Sequence, residues 1–259
     1  MNPLLSVKNL VKRFGGLTAV NRVSLDVYPG DVVGLVGDNA AGKSTFIKCI
    51  SGVHQADEGE VFFRGERSYF ARPIDARRAG IETIYQDLAL AGNLGVSANI
   101  FLGREAKRKY LGVLHTLDES FMSEESRKVL DTLNIRFANF EEQIEKLSGG
   151  QRQAVAIARA IYWEAKLMIM DEPTNNLGVV EQRKVLDLIA KLRDERVPVI
   201  LISHTLPDVF AVTNRIVVMH RGRSVTEKLT KETNSQEIVQ YMVGALDDSP
   251  LDRSSASLQ

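Results

Sequence analysis

The sequence predicts an α/β fold with a mostly parallel sheet and an inserted block of helices. Three observations predict it. Short apolar runs of strand length alternate with helical patterns in both flanking parts of the chain. Between about Ser97 and Trp163 the strand signals fade and helical patterns replace them. Gly37-x-x-x-x-Gly42-Lys43-Ser44 stands where an apolar strand runs into a helix, the setting of a phosphate-binding loop.

The elements follow in order. Val23, Leu25 and Val27 alternate with polar residues, as in a half-buried strand. Pro29-Gly30-Asp31 is a turn, and Val32 to Val36 is a short apolar strand entering the loop. A helix is expected from Lys43 to Ser51, closed by Gly52. Strands are expected from Glu60 to Arg64, after the turn Asp57-Glu58-Gly59, and from Ile81 to Tyr85. Within the helical block, Ser123 is expected to start a helix bearing Val129, Leu130 and Leu133 on one side. Ser148 is expected to start another, with Ala154, Val155, Ile157, Ala158 and Ile161 at helical spacing. The α/β texture then returns: strand Leu167 to Met170, helix about Val180 to Arg196, and strands Val199 to Ser203 and Arg215 to Met219. The Ser- and Asp-rich segment Asp247 to Gln259 is expected to be a disordered tail.

Composition narrows the function classes. The 33 basic and 33 acidic residues cancel, so global charge gives no reason to expect nucleic acid or an anionic membrane as main partner. A single cysteine, Cys49, excludes an internal disulfide and suits a reducing compartment; it reads as a small buried hydrophobe. The stretch Met1 to Lys8 lacks a basic start followed by an apolar core, so no secretory leader is expected. Apolar runs such as Val197 to Ile202 are too short to span a bilayer, so membrane association is expected to go through a protein partner.

The chemistry lies in three motifs. Along Gly37-Asp38-Asn39-Ala40-Ala41-Gly42-Lys43-Ser44-Thr45, glycines let the backbone curl so that N–H groups face phosphate oxygens. The following helix adds its positive end, Lys43 a point charge, and Ser44 a hydroxyl for Mg²⁺. A plain strand–helix turn would not need Lys-Ser at that offset. No Asn-Lys-x-Asp guanine-reading element occurs, which counts against a GTPase. Asp171-Glu172, where the strand Leu167 to Met170 ends, places one carboxylate to hold Mg²⁺ and another to polarise an attacking water. Alone that pair is as readily a cap at a turn. Leu147-Ser148-Gly149-Gly150-Gln151 is a helix start with Ser148 as cap, yet paired glycines are poor for a helix and leave N–H groups bare. Such an end suits a second anion, one presented by another chain.

With these motifs in this order, the chain resembles the ATP-binding subunit of an ABC transporter, from roughly Leu4 to Gly244. The resemblance implies a RecA-like P-loop NTPase core over residues 4–246, an antiparallel β subdomain, and a helical subdomain at about 88–165. It also implies roles for single residues. Gln86 matches the loop glutamine that senses Mg²⁺ and the membrane partner, His204 the histidine that contacts the γ-phosphate, and Phe14 the aromatic that stacks on adenine. Taken singly, each could be an ordinary loop, structural or core residue, as His54, His115 and His220 are read. Asn99 to Glu105, Ala79 to Gln86 and Asn176 to Val179 are similar to ribose/fructose-type carbohydrate importers, the single-cassette fructose kind in particular. Implied cofactors are ATP and Mg²⁺. Implied partners are membrane-spanning permease subunits, a periplasmic or extracellular sugar-binding protein, and a second copy of the cassette, at the cytoplasmic face of the membrane. Two positions depart from the family pattern: Ala40 stands where glycine is usual, and Gly178 where an aspartate often helps couple the two sites. Alternatives are an importer of a nucleoside or a branched-chain amino acid, or a soluble ABC ATPase of DNA repair or translation. Against the soluble kinds, no long insertion fits between Ser44 and Leu147, and there is one cassette. Lys107-Arg108-Lys109, with Arg104 nearby, is either a solvated charge run or a contact to the membrane-spanning partner or to lipid headgroups.

Overall fold

The computed structural model describes residues 2–110, 114–133, 135, 137 and 139–247. The expected tail therefore lies, from residue 248 on, outside the described residues. In chain order, β1 (Leu5–Phe14), β2 (Leu17–Val27) and β3 (Val32–Val36) precede α1 (Lys43–Ile50). Then come β4 (Glu58–Phe63), β5 (Glu66–Ser68), α2 (Pro73–Ala79), β6 (Ile81–Ile84) and α3 (Val96–Ile100). A pair, β7 (Lys107–Tyr110) and β8 (Leu114–Leu117), leads to α4 (Glu119–Thr132) and α5 (Gly149–Tyr162). The last part runs β9 (Leu167–Asp171), α6 (Val179–Asp194), β10 (Val199–Ile202), α7 (Leu206–Val212), β11 (Arg215–His220), β12 (Arg223–Leu229) and α8 (Ser235–Met242).

The chain forms two compact units. The first comprises residues 1–83, 166–173 and 192–259. Its six-stranded sheet has the order β12-β11-β3-β10-β9-β6, with β11, β3, β10 and β9 parallel to one another and β12 antiparallel at the edge. Every residue of β3 is buried, as expected of a strand covered on both faces. Period-two alternation sorts side chains between two cores. Val217 and Met219 join α1 residues Phe46, Ile47 and Ile50 on one face. Ile216 and Val218 face α7 and α8 on the other, with Val209, Ile238 and Tyr241. The first core also takes Leu5, Val7, Leu10, Val23 and Leu25 from a four-stranded antiparallel sheet, β2-β1-β4-β5. Cys49 lies in that core, where burial pushes its thiol up to about 11. It behaves as the buried hydrophobe the sequence suggested. His220 is likewise structural, its Nδ1 bonded to the Met242 carbonyl at 2.9 Å.

The second unit comprises residues 84–165 and 174–191. It is not purely helical, because β7 and β8 form an antiparallel hairpin. Lys107-Arg108-Lys109 lies on β7, a strand that sequence alone did not indicate. Helix α4 begins one turn before the expected Ser123. Asp118 caps it by accepting from the Phe121 N–H, and the earlier turn adds Met122 to the buried face beside Val129 and Leu130. Trp163 meets Phe101 and Tyr162 edge to face, those two rings are tilted against each other, and the Trp163 indole donates to the Ile100 carbonyl at 3.0 Å. Among the described residues no helix is long and apolar enough to cross a membrane.

Candidate functional site

Parallel register gathers the first unit's chemistry. β3, β10 and β9 run side by side, with Ile202 paired to Leu35 and to Asp171. Their carboxyl ends therefore open along one edge, which receives the phosphate loop after Val36, Asp171-Glu172 after Met170, and His204 after Ser203. This is where ligands bind in open parallel sheets.

The loop is shaped by packing as well as torsion. Gly37 (φ 154°) and Gly42 (φ 99°) leave no room for a side chain. A Cβ at Gly37 would stand 2.2 Å from the Met219 carbonyl oxygen, and one at Gly42 would stand 2.4 Å from that of Ala19. Gly42 starts α1 with no side-chain cap, so the first helical N–H groups are offered to whatever sits in the loop. Lys43 curls back over the loop, its Nζ donating to the carbonyls of Gly37 at 2.7 Å and Asp38 at 3.0 Å. The Asp38 carboxylate accepts from the Asn39 N–H at 2.7 Å, and its carbonyl from the Ala41 N–H at 3.1 Å. Ala40 has φ 63°, a left-handed conformation that costs an L-residue roughly 1–2 kcal/mol. The departure from glycine thus falls where glycine would be unstrained. Ser44 is exposed and Thr45 half-buried in the first turn of α1.

Charge is crowded here. Burial lowers the Lys43 pKa, against the pull of Glu172, Asp171 and Asp38. Burial, together with the Glu172 charge, raises that of Asp171, against Lys43 and Lys48. A cation added between these groups would relieve the carboxylates. Among the described residues no group of three or more His, Cys, Asp and Glu could hold a metal alone.

Glu172 has φ 52°, and its N–H bonds the Ile202 carbonyl at 2.9 Å. Its Oε2 lies 2.9 Å from His204 Nδ1 and accepts the His204 N–H at 3.4 Å. With a carboxylate as acceptor, Nδ1 carries the proton and Nε2 remains for a ligand. His204 is 60% exposed at its side chain while Glu172 is 15% exposed, so the ring reaches outward from a sheltered acid. Phe14 ends β1 with its ring 44% exposed. Its ring meets His54 edge to face at 5.3 Å, and Lys12 Nζ stands 5.4 Å from its centroid.

The second unit holds the remaining candidates. Gln86 is exposed, two residues beyond β6. The segment after it is fastened at two points that sequence reasoning missed. Buried Asn99 accepts the Ala91 N–H at 2.7 Å and donates to the carbonyls of Ala91, Leu94 and Gly95. Arg159 donates to the carbonyls of Leu88 and Ala89. Ser148 caps α5 in a full capping box. Its Oγ accepts the Gln151 N–H at 3.3 Å, and Gln151 Oε1 accepts the Ser148 N–H at 2.9 Å. Gln151 is thereby committed to the cap. Gly149 and Gly150 form the first turn, and the Glu181 carboxylate lies against it.

The ABC transporter family profile matches residues 20–175. A xylose/arabinose import ATP-binding protein of Sulfolobus acidocaldarius is 47% identical, covering 93% of this chain and 94% of its own length. A fructose import ATP-binding protein of Rhizobium meliloti is 44% identical, covering 94% and 95%. Among solved structures, an ATP-binding cassette of an ABC transporter in its ADP conformation matches with a TM-score of 0.79. It is 26% identical, and the match covers 94% of this chain and 96% of that one.

Proposed function

The chain belongs to the ABC transporter family and has the fold of its ATP-binding cassettes, and we propose that it hydrolyses ATP to energise the import of a sugar. The observation that carries the reading is the convergence of Lys43, Asp171, Glu172 and His204 where parallel strands end. The sugar rests on the relatives, which are named for import of xylose/arabinose and of fructose.

The loop Gly37 to Thr45 wraps the phosphates with backbone N–H groups, and Lys43 turns from its own carbonyls to the β- and γ-oxygens. Phe14 offers its exposed face to adenine. Ser44, Asp171 and Gln86 would hold Mg²⁺, which would neutralise phosphate charge there. Glu172 takes a proton from the attacking water, held in place by its bond to His204. His204 Nε2 reaches the γ-phosphate. Ser148, Gly149 and Gly150 of a second copy, shaped by Gln151, close on the same nucleotide, so that two copies build two equivalent sites. Permease subunits carry the solute through the membrane, and a sugar-binding protein outside the cell delivers it to them. The cassette domain spans 4–246, with residues 88–165 as its helical subdomain.

The test is Glu172→Gln. The variant is expected to bind ATP as the parent does and to lose turnover by about 10²–10⁴-fold, the share of a general base. Hydrolysis at the parent rate, measured by phosphate release, would show that the base is assigned wrongly.

A further inference from the structure

The Glu181 carboxylate, one turn into α6, sits on the start of α5. It accepts from the Gly178 N–H, and it packs against Gly150 with the Ser148 hydroxyl and the Gly150 N–H near enough to favour its charge. The Gly178 N–H reaches Oε2 at 3.4 Å. A Cβ placed on Gly150 would meet Glu181 at 3.0 Å from its Cβ, 3.3 Å from Cγ and 3.5 Å from Cδ. These groups, Ser148 first, hold the Glu181 carboxyl below the usual glutamate range, so it is ionised at neutral pH.

Only one of these contacts is explained by local structure. The Gly178 N–H and Glu181 are an i,i+3 pair at the start of α6, an ordinary helix-start contact. Ser148 and Gly150 belong to a different helix. They are the donors a phosphate would use, and two anions cannot share them. We propose that Glu181 is a built-in phosphate mimic that occupies the anion-binding end of α5 and must be displaced before a nucleotide is gripped there. The inference rests on the assignment of Ser148 and Gly150 to the ATP of a second copy. Displacement has a path. A cavity of about 360 Å³ opens beside the contact, lined by Ser148, Gly150, Glu181, Lys184, Leu188 and Lys191 among others. Lys184, one turn along α6, already attracts the Glu181 charge and can receive it. The contact thus sets a threshold on ATP-driven pairing of two chains.

The test uses the full chain carrying Glu172→Gln, with ATP-dependent dimerisation followed by analytical ultracentrifugation. Glu181→Gln keeps the cap on Gly178 and the side-chain shape but removes the charge. It is expected to tighten the ATP-bound dimer by about tenfold, within the range of a single coupling contact, with an unchanged melting temperature. Glu181→Ala is expected to tighten it as well. A Glu181→Gln chain that dimerises no better than the parent overturns the inference. Ser148→Arg is run beside them and is expected to abolish ATP-driven pairing. If it pairs normally, the assignment of the α5 end to ATP falls, and the inference with it. If it fails to pair while Glu181→Gln matches the parent, only the role of Glu181 falls.

Discussion

Two helices of this chain are proposed to receive an anion at their starts, and they begin differently. Helix α1 starts on Gly42 in a left-handed conformation, with no side-chain cap. Helix α5 starts on Ser148 with a complete capping box, and a carboxylate of the same chain lies on its first turn. Both use the unsatisfied N–H groups and positive end of a helix. At α1 the chain supplies a cation, Lys43, and carboxylates that call for another. At α5 it supplies its own anion. On the proposed reading the first end holds a nucleotide alone, and the second responds to one brought by another molecule.

Removing the cation should break the comparison most sharply. Lys43→Ala deletes a charge-assisted contact of about 3 kcal/mol and is expected to weaken ATP binding about 100-fold, read by nucleotide titration. Ser148→Ala should act at the other end only. ATPase activity is expected to fall about tenfold while monomer affinity for ATP stays at the parent value, and the lost cap should cost about 1 kcal/mol in urea denaturation. Equal losses of affinity in the two variants would show that the ends do not differ as described. Asp171→Asn probes the charge crowded near α1. Because the Asp171 pKa is raised in the folded chain, its ionised form costs stability at neutral pH. That cost is relieved as pH falls through the raised value. The variant should therefore melt a few degrees higher at pH 7, with a gain that shrinks on acidification, while Mg²⁺-dependent turnover is lost. Ala40→Gly should give the smallest effect. Relief of the left-handed strain is offset by greater freedom in the unfolded chain, leaving a net gain below about 1 kcal/mol by urea denaturation.

The same contrast explains what could be read in advance. The nucleotide end is local in sequence. A continuous apolar strand, a Gly-Lys-Ser offset and a helix follow one another, so α1, β9 and β10 fall where expected. The hairpin of β7 and β8 escaped because KRKY and LHTL lack an apolar alternation. In the antiparallel sheet β2 and β4 were legible, but β1 escaped because its register against β2 shifts repeatedly, between Val7 and Leu10 and again before Arg13, which blurs the period of two. The start of α4 was misplaced because Ser123 and Asp118 are both competent caps, and burial of Met122 decides between them. Glu172 and His204 were legible as residues, but their 2.9 Å contact comes from strand order. Glu181 is legible as the third residue of a helix, while its place against Ser148 comes from packing that no sequence spacing encodes.

The loop glycines carry a last consequence, for how freely this motor can evolve. At Ala40 the backbone imposes only a torsion, a soft constraint that alanine meets at modest cost. At Gly37 and Gly42 the constraint is a wall, since the carbonyls of Met219 and Ala19 fill the space of any side chain. Those carbonyls belong to β11 and β2, strands of two different sheets. Mutational paths that reshape the loop must therefore move a sheet first, so position 40 is open to drift while positions 37 and 42 are closed to it.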